Sequence, residues 1–250
     1  MMELKKTGRV AVLTMTHGKV NAMDVEFCAE LKARLDECRA PDVGALVITG
    51  HGKIFSAGVD LLRVMGGGAD YVRRFLPALG DVLEAVFAFE KPVIAAINGH
   101  AIAGGCILAC AADRKIIAHT ATIGVPELLV GVPFPAVPIE ILRFAVTPHY
   151  LQSMIAAGSV LHADDAVTHG LADVVVEPVA VLRRAMINAE AMAAIPAAAF
   201  AMTKRQLREP ALQRIREASS RHDPGVTDVW AAEGTLRAIG DYVERTFKKA

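Results

Sequence analysis

The chain has 250 residues, and its 27 Lys plus Arg balance 27 Asp plus Glu at a formal net charge of zero. With 53% hydrophobic and 22% charged residues, it cannot be an intrinsically disordered chain, which needs low hydrophobicity and high net charge. Zero net charge also leaves no overall basic field for nucleic-acid phosphates, and a chain this long buries roughly 70–75% of its unfolded surface without a disulfide or metal staple.

In chain order, Val10–Met15 is predicted to be a strand. Asp24 opens a helix whose apolar stripe is Phe27, Leu31, Leu35 and Cys38, ended by Pro41-Asp42. The continuous apolar run Ala45–Thr49, closed by Gly50, has the pattern of a buried strand. Gly66-Gly67-Gly68 predicts a flexible loop, followed by a helix over about 70–89, bent or restarted at Pro77. Pro92 leads a strand over Val93–Ile97. The turn Asn98-Gly99-His100 follows, then a small-residue helix from near Gly104 and a strand over Lys115–Ala118. Strand and helix alternating in this way predict α/β layering with crossovers. Beyond about Pro178 the pattern is helical, punctuated by Pro196, Pro210 and Pro224-Gly225. The expected division is a core over 1–195 and a helical region over 196–250 that caps a site or docks on another subunit.

The four cysteines, Cys28, Cys38, Cys106 and Cys110, form no C-x-x-C pair, and the eight histidines show no zinc spacing. Buried free thiols and no metal are expected. The polar start Met1–Lys6 predicts no signal peptide, and no uncharged apolar run reaches the length of about 18 residues that a membrane span needs. Phe247-Lys248-Lys249-Ala250 is not a peroxisomal signal. A cytoplasmic protein is therefore expected.

Three segments could carry chemistry. The turn Asn98–Cys106 has glycine spacing like a phosphate loop, but Gly105-Cys106 replaces its Lys-Ser/Thr pair. Its small residues still leave helix N–H groups open to an oxyanion. Lys53–Leu61 contains a tight Ser56-Ala57-Gly58 turn, with backbone N–H groups near Val59 free to point outward, and an ordinary strand-end turn would look the same. Glu127 stands in an otherwise apolar stretch. Burial there would raise its pKa toward the range useful for proton abstraction, although a glutamate after Pro126 is also a normal first-turn residue.

Together the three resemble the crotonase family, the enoyl-CoA hydratase/isomerase superfamily. The resemblance spans essentially the whole chain. It begins at Gly18-Lys19-Val20-Asn21-Ala22, includes Phe55-Ser56-Ala57-Gly58-Val59-Asp60-Leu61, Gly104-Gly105-Cys106 and Glu127, and continues through Ala163-Asp164-Asp165-Ala166 and Gly170-Leu171-Ala172-Asp173. It implies an α/β fold, a crotonase-like spiral of ββα repeats with a C-terminal helical region, assembled as a homotrimer or a dimer of trimers. It implies acyl-CoA thioester substrates, with coenzyme A entering as part of the substrate and no separate cofactor. The Val59 and Gly104 amides are implied as the oxyanion hole. Coenzyme A contacts are implied at Lys19, Ala57, Asp60, Leu61, Tyr242 and Arg245, with Tyr242 on the adenine and Arg245 on a phosphate. An amphipathic tail helix at a subunit contact explains the last two equally well.

The chain also departs from the family pattern. Family hydratases carry one glutamate directly after G-G-C and a second twenty residues later. Here those positions are Ile107 and Glu127. An aliphatic Ile107 cannot hold water, whereas a shift of a double bond needs only one base. The apolar Gly131-Val132-Pro133-Phe134-Pro135 is similar to family isomerases, which places Ile107, Pro133 and Phe134 in the expected acyl pocket. The expected activity is movement of a 3-enoyl-CoA double bond to the 2-position with Glu127 as acid/base. Two alternatives stay open: a hydratase in which Glu140 or bound water replaces the missing glutamate, and a degenerate acyl-CoA-binding trimer. Glu140 is expected at the surface or at a subunit interface, and His100 and His119 in loop or strand-end roles.

Overall fold

The computed structural model describes residues 2–247. Four successive segments repeat one plan, in which a first strand enters a large sheet, short strands enter smaller ones, and a helix follows. The first contains β2 (Val10–Met15), β3 (Ala22–Met23) and α1 (Val25–Glu37), preceded by β1 (Met2–Thr7). The second contains β4 (Ala45–Thr49), β5 (Ile54–Ser56), β6 (Gly58–Val59) and α2 (Leu61–Phe87). The third contains β7 (Val93–Ile97), β8 (His100–Ile102) and α3 (Gly104–Cys110), and the fourth β9 (Arg114–Ala118), β10 (Thr122–Gly124) and α4 (Glu127–Val130). Next come α5 (Ala136–Ala145), α6 (Pro148–Ala157), β11 (Val160–His162), α7 (Ala163–His169) and β12 (Val174–Val176). The chain ends in α8 (Val181–Ala193), α9 (Ala197–Ala231) and α10 (Glu233–Phe247).

The large sheet has the order β1-β2-β4-β7-β9-β12 and is parallel except for β1. Every residue of its central strands β4 and β7 is buried, which is why they are apolar throughout rather than alternating. Val181, Ala185, Ala189 and Ala193 form the buried stripe of α8, and the small alanines let that helix lie close against β4 and β7. The second sheet has the order β11-β10-β8-β5, with β5, β8 and β10 parallel. This is the spiral of ββα repeats, with a C-terminal helical region, that the resemblance implied.

The Asp24 cap forms as expected, its side chain accepting from Phe27 N–H at 2.7 Å, above buried Phe27, Leu31 and Leu35. Two expectations fail. Gly66-Gly67-Gly68 is not a loop: α2 runs through it, with a break at Gly68 (φ 58°, ψ −153°) and not at Pro77. Glycine adopts positive φ without steric cost, so the bend settles there. Nor do Pro210 and Pro224 interrupt the C-terminal helices, because α9 continues through both for 35 residues. Pro77, Pro210 and Pro224 are all exposed, as are Arg73, Gln206 and Ser220, whose carbonyls lose a partner. Solvent can serve those carbonyls, which lowers the usual penalty of an internal proline.

Helix α9 is locked to the core through Asp113. Lys204 Nζ donates to Asp113 Oδ2 at 2.6 Å and Arg208 Nη2 to Oδ1 at 2.7 Å, while Val93 N–H reaches Oδ2 at 2.8 Å. Arg208 also donates to the carbonyls of Phe87, Ala111 and Ala112. The four cysteines are free and buried. No group that could hold a metal, and no single helix long and apolar enough to cross a membrane, occurs among the described residues. Lys248, Lys249 and Ala250, on which the peroxisomal reading rested, lie outside them.

Candidate active site

The three sequence segments leave the same end of three neighbouring parallel strands. β5 ends at Ser56 and leads to Val59, β8 ends at Ile102 and leads to Gly104, and β10 ends at Gly124 and leads to Glu127. Ile102 and Gly124 pair in register, and Ala103 N–H donates to Gly124 O at 2.8 Å. Carboxyl ends of parallel strands are where α/β sheets present ligands.

Val59 and Gly104 come together because glycine lets their turns touch. A Cβ on Gly58 (φ 84°) would meet Ala103 Cβ at 2.7 Å and Gly104 N at 3.0 Å. One on Gly105 would lie 2.4 Å from Ser56 O, and one on Gly104 would lie 3.8 Å from Val59 N. Asp60 N–H donates to Met23 O at 2.9 Å. Val59 precedes it in β6, which packs against α3. Gly104 is the first residue of α3, where an amide has no intrahelical acceptor. Ala103 before it is held at φ 53°, a conformation costly for a residue with a Cβ.

Glu127 is 8% exposed, and its Oε2 is buried without a hydrogen-bond partner. Burial pushes its pKa up to about 8, outweighing its own backbone N–H, which favours the charged form. Its charge reaches α3. The Cys106 thiol is raised first by its hydrogen bond with Cys110 and then by burial, and Glu127 adds to the shift. Ile107 is buried in the same helix and offers no polar side-chain atom. Glu140, expected at the surface or at a subunit interface, is buried within this chain, accepting from Arg143 Nε at 3.0 Å and Arg214 Nε at 2.6 Å beside an outer groove. A buried carboxylate whose pKa is lifted to about 8 can take up and release a proton near neutral pH.

The other sequence candidates take varied places. Lys19 and Ala57 are exposed, and Ala57 N–H donates to Val20 O at 3.0 Å. Asp60 caps α2, its Oδ1 accepting from Arg63 N–H at 3.0 Å, and Leu61 beside it is half-buried. Pro133 O accepts from Trp230 Nε1–H at 2.8 Å. Phe134 lines an outer groove of about 430 Å³ with Glu140, Arg143, Arg214 and Arg221. Tyr242 packs partly buried against the core, whereas Arg245 is exposed and donates to Asp241 O at 3.2 Å. His100 Nδ1 accepts from Thr122 N–H at 3.2 Å, and His119 pairs with Glu177 at 3.3 Å.

Sequence reasoning missed the brace beneath the Ser56-Ala57-Gly58 turn. Ser56 Oγ–H donates to Asn21 O at 2.7 Å, and the same oxygen accepts from Gly58 N–H at 3.1 Å. Asn21 Nδ2 donates to Phe55 O at 3.0 Å while its Oδ1 accepts from His17 N–H at 2.8 Å. Asn21 sits at φ 50°, a conformation asparagine tolerates better than most residues. An asparagine two residues after Lys19 was the available signal.

A family model described as enoyl-CoA hydratase/isomerase matches residues 5–246. A relative from Thermus thermophilus, a "putative enoyl-CoA hydratase", is 32% identical over 212 residues, 83% of each chain. Among solved structures, an enoyl-CoA isomerase of Mycobacterium tuberculosis has a TM-score of 0.82 at 31% identity, covering 93% of this chain and 98% of that one. The human mitochondrial delta3-delta2-enoyl-CoA isomerase reaches a TM-score of 0.94 at 22% identity over 99% of this chain and 98% of its own, and that similarity bears on the fold. The fold is an α/β chain of stacked ββα turns with a C-terminal helical region. The chain belongs to the enoyl-CoA hydratase/isomerase family.

Proposed function

We propose that the chain moves the double bond of a 3-enoyl-CoA thioester to the 2-position. The thioester oxygen accepts from the Val59 and Gly104 amides. Glu127 removes a proton from C2, the electron pair delocalises into a dienolate, and the same carboxyl returns the proton at C4. The C3–C4 double bond becomes C2–C3, and no water or redox partner is consumed. One oxyanion donor typically contributes about 2.7–4 kcal/mol of transition-state stabilisation.

The observation that supports this reading is the buried Glu127 carboxylate, whose Oε2 has no hydrogen-bond partner, and the aliphatic Ile107 buried in α3 is consistent with it. Hydration needs a water both held and deprotonated, and the alternative carboxylate, Glu140, is paired with two arginines. The hydratase reading draws support from the name of the Thermus relative and would need ordered water in place of a second carboxylate. The proposal includes Lys19, Ala57, Asp60, Leu61, Tyr242 and Arg245 as coenzyme A contacts, Ile107, Pro133 and Phe134 as acyl-pocket residues, a homotrimer or dimer of trimers, and a cytoplasmic location.

Parallel assays with 3-enoyl-CoA and 2-enoyl-CoA test it. Isomerisation should dominate, and Ile107→Glu should raise hydration relative to isomerisation. Hydration dominating in the unmodified chain selects the hydratase, and turnover of neither substrate selects an acyl-CoA-binding protein.

A further inference from the structure

The segment after Glu127 is fixed from outside its own repeat. Gly131 N–H and Val132 N–H both donate to Glu127 O at 3.1 Å, so the glutamate's backbone moves with residues 131–132. Gly131 (φ 94°) faces α10, where its Cβ position lies 3.4 Å from Ala238. Pro133 O accepts from the indole N–H of Trp230, a buried residue near the end of α9. Helix α5 has no side-chain cap of its own; its first amide, Ala136 N–H, donates to Asp223 Oδ1 of α9 at 2.9 Å. Asp223 is steadied in turn by Thr227 Oγ1, which donates to its carbonyl at 2.8 Å. Only Phe134 and Pro135 separate the anchored Pro133 and Ala136, and the prolines at 133 and 135 lock φ at their positions. The span is a stiff strut tied to α9 at both ends.

We propose that Trp230 and Asp223 are positioning residues for Glu127, holding the strut that sets its carboxylate and keeps water away from it. The proposal rests on the reading of Glu127 as the acid/base. Neither residue is proposed to touch substrate. Their effect passes through Pro133 and Ala136 to Val132 and Gly131, and from there to Glu127 O. A loosened strut would let the carboxylate drift and hydrate. A displacement of about 1 Å can cost on the order of 10²-fold in rate, and hydration would return the carboxyl toward its ordinary pKa.

The test uses the full chain with Trp230→Phe, which keeps an aromatic ring but loses the N–H, and with Asp223→Ala and Asp223→Asn. Turnover of 3-enoyl-CoA is followed as a function of pH beside Glu127→Gln. Trp230→Phe and Asp223→Ala should lower kcat about ten- to hundredfold with little change in KM. Their acid limb should move to lower pH, and Asp223→Asn, which keeps the Oδ1 acceptor, should recover most of the rate. Wild-type kcat in both variants, or a loss of stability with the acid limb unmoved, overturns the proposal. Should Trp230→Phe fail to fold, the Asp223→Ala and Asp223→Asn pair decides by the same criteria. Wild-type turnover in Glu127→Gln instead removes the acid/base reading itself, a result separate from any outcome at Trp230 or Asp223.

Discussion

Asp113 and Glu127 are two nearly buried carboxylates with opposite surroundings. Asp113 is 11% exposed at its side chain and accepts from Lys204, Arg208 and Val93 N–H. Glu127 is equally sheltered, yet its Oε2 accepts from nothing. A buried polar group without partners is unstable in its charged form and is rarely kept unless it serves chemistry. At Asp113 the donors stabilise the charge, and the group is structural: it ties α9 to the ends of β7 and α3. At Glu127 an unpartnered Oε2 and burial lift the pKa to about 8, which suits the carboxyl to proton exchange. Burial alone therefore does not mark a catalytic group; what separates the two is the inventory of donors.

The largest effect that would break this contrast is on turnover. Glu127→Gln keeps the shape but cannot take a proton, so kcat should fall by about 10²–10⁴-fold with folding intact, as read by steady-state assay and circular dichroism. Asp113→Ala should do the reverse. It leaves Lys204 and Arg208 buried without their carboxylate, at a cost of about 3–5 kcal/mol in urea-unfolding free energy, while the molecules that stay folded keep their proton-transfer group.

The smallest and sharpest effect is in the pH dependence. Because Glu127 is raised from its ordinary 4.5 to about 8, the base form accumulates only as pH rises through about 8, and kcat/KM should climb on an acid limb centred there. The linked stability has the opposite sign. With the folded pKa above the unfolded one, the contribution of Glu127 is fully present below pH 4.5 and is lost as pH rises to about 8. The stability of Glu127→Gln relative to the parent chain should therefore improve across that window. An acid limb near the ordinary carboxylate range would assign the titrating group elsewhere.

The parts of this site that were legible in the sequence are those set by local backbone chemistry. Gly58 and Gly105 announce turns that tolerate no Cβ, and the apolar neighbours of Glu127 announce its desolvation. The short strands β5, β6, β8 and β10 have two or three residues each, too few for a period to show. Their positions follow from pairing with one another, which no single segment encodes. The burial of Glu140 was not legible because one of its partners, Arg214, lies 74 residues away. The run of α9 through Pro210 and Pro224 depends on which side of the helix meets solvent, and that is decided by α2 and α5. Ser56 and Asn21 are ordinary as single letters and acquire a role only when the first and second repeats meet.

The stacking of the ββα repeats also bears on how the chain folds. Val59, Gly104 and Glu127 come from the second, third and fourth repeats, and parallel neighbours can pair only after an intervening crossover has been laid down. No two of the three share a hairpin, so nothing local preassembles them. Sequence-distant pairing of this kind forms slowly. Recovery of activity during refolding should accordingly trail the appearance of helical signal, and a nascent chain should stay catalytically silent until the fourth repeat has docked.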